Sequence, residues 1–339
     1  MSDTKRLTRR VSNLNALVLI IFYILDALLI RLDKYVVTAL FKDSKAYADI
    51  LSISAYVVQY LVVVPLCLLV LKVLEPDHEL RIKERLTKPN VSSGQLLRWI
   101  VMCFGLIYAS SYLNSFFFLL VQSVSGVEFN TVSFAANPTY LGVLSNIIAM
   151  TLLAPFYEEL LFRGALLSNA RRIGSWTAVF AVGISFGMWH GTYSQILYAA
   201  VMGTCAAFLV EKTGSLFSSL LLHICINTIG AVQSIFLGFL DFDELQKSLE
   251  KNDFSYISAH RGAFLGLIVP AGLVFVLMIC GIVIFVRELR YHKETFALSE
   301  RHRDVSVKGK LGLYFTAPIA VIAVIGSLTI AVLSAMGKI

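Results

Sequence analysis

Charge is scarce in this chain. Asp, Glu, Lys and Arg make up 15% of its 339 residues, against roughly 25% in an ordinary soluble domain. That deficit excludes a typical soluble globular protein. Cysteines are few as well: Cys67, Cys103, Cys205, Cys225 and Cys280. All five lie in apolar blocks with no CxxC spacing. They read as small core or helix-interface residues, which argues against a disulfide framework or a zinc cluster. No internal repeat, low-complexity tract or sizeable soluble domain is visible. The net charge of +7 falls mostly in short loops and tails. There it sets membrane orientation and gives no sign of nucleic-acid binding.

Apolar residues fill the chain instead, at 57%, and they come in long blocks. A membrane-spanning helix needs about 20 of them. The blocks 14–31, 52–74, 97–121, 140–167, 175–190, 194–211, 215–238, 263–287 and 312–336 predict an all-α, polytopic transmembrane helical bundle of about eight or nine helices. The blocks 175–190 and 194–211 are short for full spans, so they are tilted or buried inside the bundle. Lys5, Arg6, Arg9 and Arg10 precede the first block with no clear small-residue cleavage site, which reads as a retained first span.

Loop charges predict orientation. The segments 1–10, 72–98 (with Arg81), 163–172 and 287–310 are basic. Alternate crossings place all four on one side, the cytoplasm by the positive-inside rule. The segment 122–139 has no Lys or Arg and 239–262 is acid-rich. The segment 31–49 is the exception, with Arg31, Lys34, Lys42 and Lys45. The 287–310 segment is expected to touch anionic headgroups.

Three polar clusters interrupt the apolar blocks. Burying an ionisable group in a bilayer is costly unless it is paired or faces a wet cavity. The first cluster is Glu158, Glu159 and Arg163, just after Pro155. On a helix Glu159 and Arg163 are four apart and share a face, while Glu158 is turned away by about 100°. Arg163 can therefore neutralise Glu159 and leave Glu158 available, with Pro155 able to kink the helix nearby. The second cluster ends Phe186-Gly-Met-Trp-His190, and the third is His223 with Asn227 at helical i, i+4 spacing. Of the six histidines, His78, His260, His292 and His302 fall in polar segments, and only His190 and His223 fall in apolar ones. One free carboxylate, two imidazoles and an amide are the parts for hydrolysis. A carboxylate takes a proton from water, and an imidazole or amide stabilises an oxyanion. The same Glu158, His190 and His223 also make a three-ligand zinc set. Asp26 and Asn146 are explained by interhelical hydrogen bonds.

Glu-Glu-x-x-x-Arg, Phe-x-x-x-His and His-x-x-x-Asn, in that order on successive apolar helices, resemble the CPBP family of CAAX prenyl proteases and bacteriocin-processing or Abi proteins. The resemblance covers roughly 140–230. The flanks 1–139 and 240–339 carry no matching motif. The resemblance implies an intramembrane endopeptidase with its site between helices in 140–238. The segment 1–139 would supply N-terminal transmembrane helices, and 239–339 an extracytoplasmic loop and C-terminal helices. It implies that Glu158 activates a water held by His190. His223 and Asn227 would form the oxyanion pocket, with Glu159, Arg163 and Phe186 in support. A metal-free glutamate mechanism is preferred over zinc, because Asn is an uncommon zinc ligand and HExxH is absent. The expected partners are membrane lipids and a membrane-associated peptide or protein substrate. The alternative is a non-catalytic regulator or immunity protein that binds a sensor or toxin. A transporter is disfavoured, since there is no inverted repeat. A bacterial cell membrane is preferred over the endoplasmic reticulum, with a cytoplasmic N-terminus and a site reached from the cytoplasmic side.

Overall fold

Nine apolar helices form the bundle of this computed structural model, which describes residues 2–75, 82–126 and 135–338. They are α1 (Asp3–Phe41), α2 (Tyr47–Leu74), α3 (Ser93–Ser125), α4 (Tyr140–Ile173), α5 (Ser175–Trp189), α6 (Ile196–Thr213), α7 (Leu216–Gly238), α8 (Arg261–Tyr291) and α9 (Pro318–Ala335). Eight of them are long and apolar enough to cross a membrane, and α5 is shorter. No strand occurs among the described residues. His78 and Arg81 lie outside those residues. The block expected over 312–336 is two elements, a helix Val307–Phe315 and then α9, separated by Thr316 and Ala317. Pro318 opens α9, since it lacks the N–H that a continued helix would use.

Much of the outward surface is large and apolar. On α8 Leu265, Ile268, Val269, Phe275 and Val276 are exposed, as are Phe116, Phe117 and Leu120 on α3. In water such a belt would drive association. In a bilayer it faces lipid, while the helices satisfy their own backbone groups. Inside, small residues let backbones meet. α5 packs along α6 with Gly183, Gly187 and Gly203 in the seam. A Cβ on Gly183 would lie 2.2 Å from Thr204 Oγ1, and one on Gly187 would lie 2.3 Å from the Ile196 carbonyl oxygen. Close helix approach of this kind is what small interface residues permit in membranes.

Ion pairs join the basic segments at one end of the bundle. Glu75 pairs with Arg10 (3.0 Å) and Arg172 (3.5 Å). Glu211 pairs with Arg85 (3.3 Å) and Arg171 (3.1 Å). Thr4 donates to Asp304 (2.8 Å), and Arg98 pairs with Glu288 (3.4 Å). The opposite end joins other segments. Asp49 accepts from Asn137 (3.1 Å) and Thr139 (2.8 Å), and the Ala136 amide donates to the Ser234 carbonyl (3.0 Å).

Three sequence expectations need correction here. Arg163 is not a loop charge, because it is wholly buried within α4. Lys310 is not a headgroup contact. It is buried, pairs with Glu300 (3.2 Å) and donates to the Arg301 carbonyl (2.6 Å). The 293–310 stretch packs back on α5 through Glu300, which accepts from the Trp176 amide (2.7 Å). Among the cysteines, Cys67, Cys103 and Cys205 are buried as expected, whereas Cys225 and Cys280 are exposed.

Candidate active site

α4 does not run as a uniform α-helix. It widens to π-turns over Ala149–Leu153 and Leu160–Leu166, on either side of the α-helical stretch Ala154–Glu159. Pro155 lacks a backbone N–H, so the α-helical ladder cannot close through it. The widened turns take up the break, where sequence reasoning expected a kink. π-turns are rare and concentrate at functional positions. A third, Val58–Val63, sits in α2 and carries Tyr60.

The two adjacent glutamates separate as their helical positions require. Glu159 points into the packed interior, with Oε1 2.9 Å from Arg163 Nη1 and 2.9 Å from His223 Nδ1. The Arg163 guanidinium also lies over the Phe186 ring, 4.3 Å from its centre, a cation–π contact made in a desolvated setting. Its Nη2 reaches Met202 Sδ at 3.7 Å. Phe186 thus touches Arg163 through its ring and His190 through its backbone carbonyl.

Glu158 faces the other way, into a cavity of about 740 Å³. Tyr60 donates its hydroxyl to Glu158 Oε1 at 3.2 Å. His223 Nε2 is 3.6 Å from Glu158 Oε2, so the His223 ring stands between the two carboxylates. Glu158, His190, His223 and Asn227 all line this one cavity. Glu159, Arg163 and Phe186 do not line it and lie buried beneath it.

His190 ends α5. Its Nδ1 lies 2.9 Å from the Phe186 carbonyl oxygen. A carbonyl only accepts, so Nδ1 carries the hydrogen and the neutral ring presents Nε2 as an acceptor. Straight helices would set His190 and His223 at different depths, roughly 22 Å and 12 Å from the basic end at 1.5 Å per residue. The structure removes that offset. Both rings rest on Phe186, with centroids 4.7 Å and 5.9 Å away. The bond to Phe186 turns the His190 ring back by one helical turn. Asn227 donates one amide hydrogen to the Met150 carbonyl at 3.0 Å, in the π-turn of α4. Its Nδ2 carries a second hydrogen.

Sequence reasoning missed Tyr60, Gln59 and Asp26, which also line the cavity. Tyr60 and Gln59 lie in an apolar run whose π-turn has no spacing signature. Asp26 was assigned to interhelical bonding, yet its Oδ1 has no hydrogen-bond partner. Asn146 does bond between helices, to Ser234 Oγ at 3.2 Å. As to zinc, no group of three or more His, Cys, Asp or Glu side chains among the described residues is placed to hold a metal ion.

Residues 140–229 match the family described as type II CAAX prenyl endopeptidase Rce1-like. Over 94 residues the chain is 36% identical to the uncharacterised protein YpbD of Bacillus subtilis (strain 168). That stretch is 26% of this chain and 46% of YpbD, so the match spans about half the length of the curated relative. No solved structure matches the chain.

Proposed function

Because residues 140–229 match the Rce1-like type II CAAX prenyl endopeptidase family, we propose that the chain is an intramembrane endopeptidase working by glutamate-activated water. One observation carries the reading. Residues from three separate sequence motifs, Glu158, His190 and His223 with Asn227, converge on a single cavity inside a bundle of apolar helices.

In this proposal a water sits between Glu158 and the acceptor Nε2 of His190. Glu158 removes a proton from it, and the water oxygen bonds to the carbonyl carbon of the peptide. The carbonyl electron pair moves to oxygen. Asn227, with its second amide hydrogen, and His223, protonated at Nε2 as well as at the Nδ1 that donates to Glu159, face that developing charge. Collapse of the tetrahedral species breaks the C–N bond, and the proton on Glu158 passes to the leaving nitrogen. Tyr60 orients the Glu158 carboxylate through its hydroxyl. Glu159 fixes the His223 ring by accepting from Nδ1, and Arg163 is the counter-ion to Glu159. Both act as positioning residues.

The deciding experiment is turnover of a membrane-tethered peptide by purified protein. The parent cleaves it, whereas Glu158→Gln and His190→Ala do not. Cleavage by both variants at the parental rate would remove the site from the reaction.

A further inference from the structure

Toward the basic segments, Phe186 and the α4 stretch Leu161–Leu166 are buried and do not line the cavity. Further toward that end Asn15 ties α1 to α4 and to helix Val307–Phe315, donating to the Leu166 carbonyl (3.2 Å) and Tyr314 hydroxyl (3.0 Å). That layer leads to the end where Arg10, Arg85, Arg171, Arg172 and Lys310 are held in ion pairs.

From Glu158 the lining runs the other way. On α7 it continues from His223 to Leu237, one residue short of the helix end, and it includes Gly191 and Gln195 in the loop after α5. That loop lies far from the basic end, since Ser194 accepts from Asn114 (3.0 Å), 21 residues along α3 from Ser93. At about 1.5 Å per residue this is roughly 32 Å along α3, and the 15-residue α5 that leads to the loop spans roughly 22 Å, so the loop lies well past the middle of a bilayer core of about 30 Å. A second cavity of about 240 Å³ adjoins the first. It shares Tyr56 and Met150 with it and reaches Ala136 and Asn137, the segment joined to Asp49 at the non-basic end. This lining runs away from the basic side, from which the sequence led us to expect the approach.

We propose that the substrate enters from the face opposite the basic segments. By the charge rule for membrane orientation this is the extracytoplasmic face. The substrate class is a polypeptide segment exposed on that side or emerging from the outer leaflet. The substrate part rests on the endopeptidase reading, while the direction of access stands on geometry and charge alone.

Cysteine accessibility tests it without turnover. Gln233→Cys and Gln59→Cys place thiols on the cavity wall. Lys308→Cys and Lys251→Cys mark the basic and opposite ends. The probe is a charged, membrane-impermeant maleimide, with the parent chain as background for its five native cysteines. In intact cells the probe labels Gln233→Cys, Gln59→Cys and Lys251→Cys and leaves Lys308→Cys unlabelled. In inverted vesicles only Lys308→Cys is labelled. Labelling of both wall cysteines only in inverted vesicles overturns the proposal, whichever end marker accompanies them, and so does labelling of neither from either side. Such a failure leaves the Glu158→Gln turnover comparison untouched, so the two readings fall separately.

Discussion

His223 Nδ1 lies 2.9 Å from Glu159 Oε1, while its Nε2 lies 3.6 Å from Glu158 Oε2. One imidazole thereby links a glutamate held by Arg163 to a neighbouring glutamate open to the cavity. Two consecutive, chemically identical side chains have different surroundings, and substitution should separate them.

Glu158→Gln keeps the shape of the side chain and removes the base. Turnover is expected to fall by about 10²–10⁴-fold, the usual contribution of a positioned general base, with the thermal unfolding temperature in detergent nearly unchanged. A peptide-cleavage assay beside a melting curve reads both quantities.

Glu159→Gln acts on stability. It leaves the fully buried Arg163 without its counter-ion, and an uncompensated buried charge costs about 3–5 kcal/mol. A clear drop in unfolding temperature is expected. The double variant Glu159→Leu with Arg163→Met should melt higher than Glu159→Gln alone, because no buried charge remains. Equal melting of the two would show that the ion pair does not govern folding.

Tyr60→Phe removes the single hydroxyl donor to Glu158 Oε1 and keeps the ring. A hydrogen bond to a charged group contributes about 1.5 kcal/mol at the low end, or roughly tenfold in rate. The loss should appear in kcat with KM little changed, since the hydroxyl touches the base and not the substrate. A change confined to KM would place Tyr60 in substrate binding instead.

Asn227→Ala removes an amide that is anchored at Met150 and faces the cavity. Loss of one oxyanion donor costs about 10²–10³-fold in kcat. Active-site titration of folded enzyme distinguishes this from loss of protein.

Gly183→Leu tests the α5–α6 seam. A Cβ there already meets Thr204 at 2.2 Å, and overpacking a tight contact costs about 1–3 kcal/mol or more. The variant should yield less folded protein on size-exclusion chromatography, and its His190 should be displaced because α5 carries it. Gly183→Ala should show the same trend to a smaller degree.

Much of the fold was legible because lipid imposes a length on each span. The apolar blocks near 14–31, 52–74, 215–238 and 263–287 all became helices of the bundle. The short block ending in Phe186 and His190 became the 15-residue α5. The different surroundings of Glu158 and Glu159 followed from helical angle alone. Tyr60 was not legible, because a tyrosine in an apolar run carries no signal until a π-turn swings it toward a partner 98 residues away. Nor was the common level of His190 and His223, which depends on a side chain bending back to its own helix.

By itself the sequence determined the helical bundle, the motifs and four of the residues that line the cavity. Those features are local: hydropathy, helical periodicity and the rarity of charge in apolar segments specify them one element at a time. Tertiary structure alone decided how those residues meet, that Arg163 and Phe186 are buried outside the cavity lining, and that the lining extends along α7 to Leu237. Each of these depends on the offset between helices distant in sequence, and that offset is set by packing at glycine seams and buried polar contacts, which no single segment encodes.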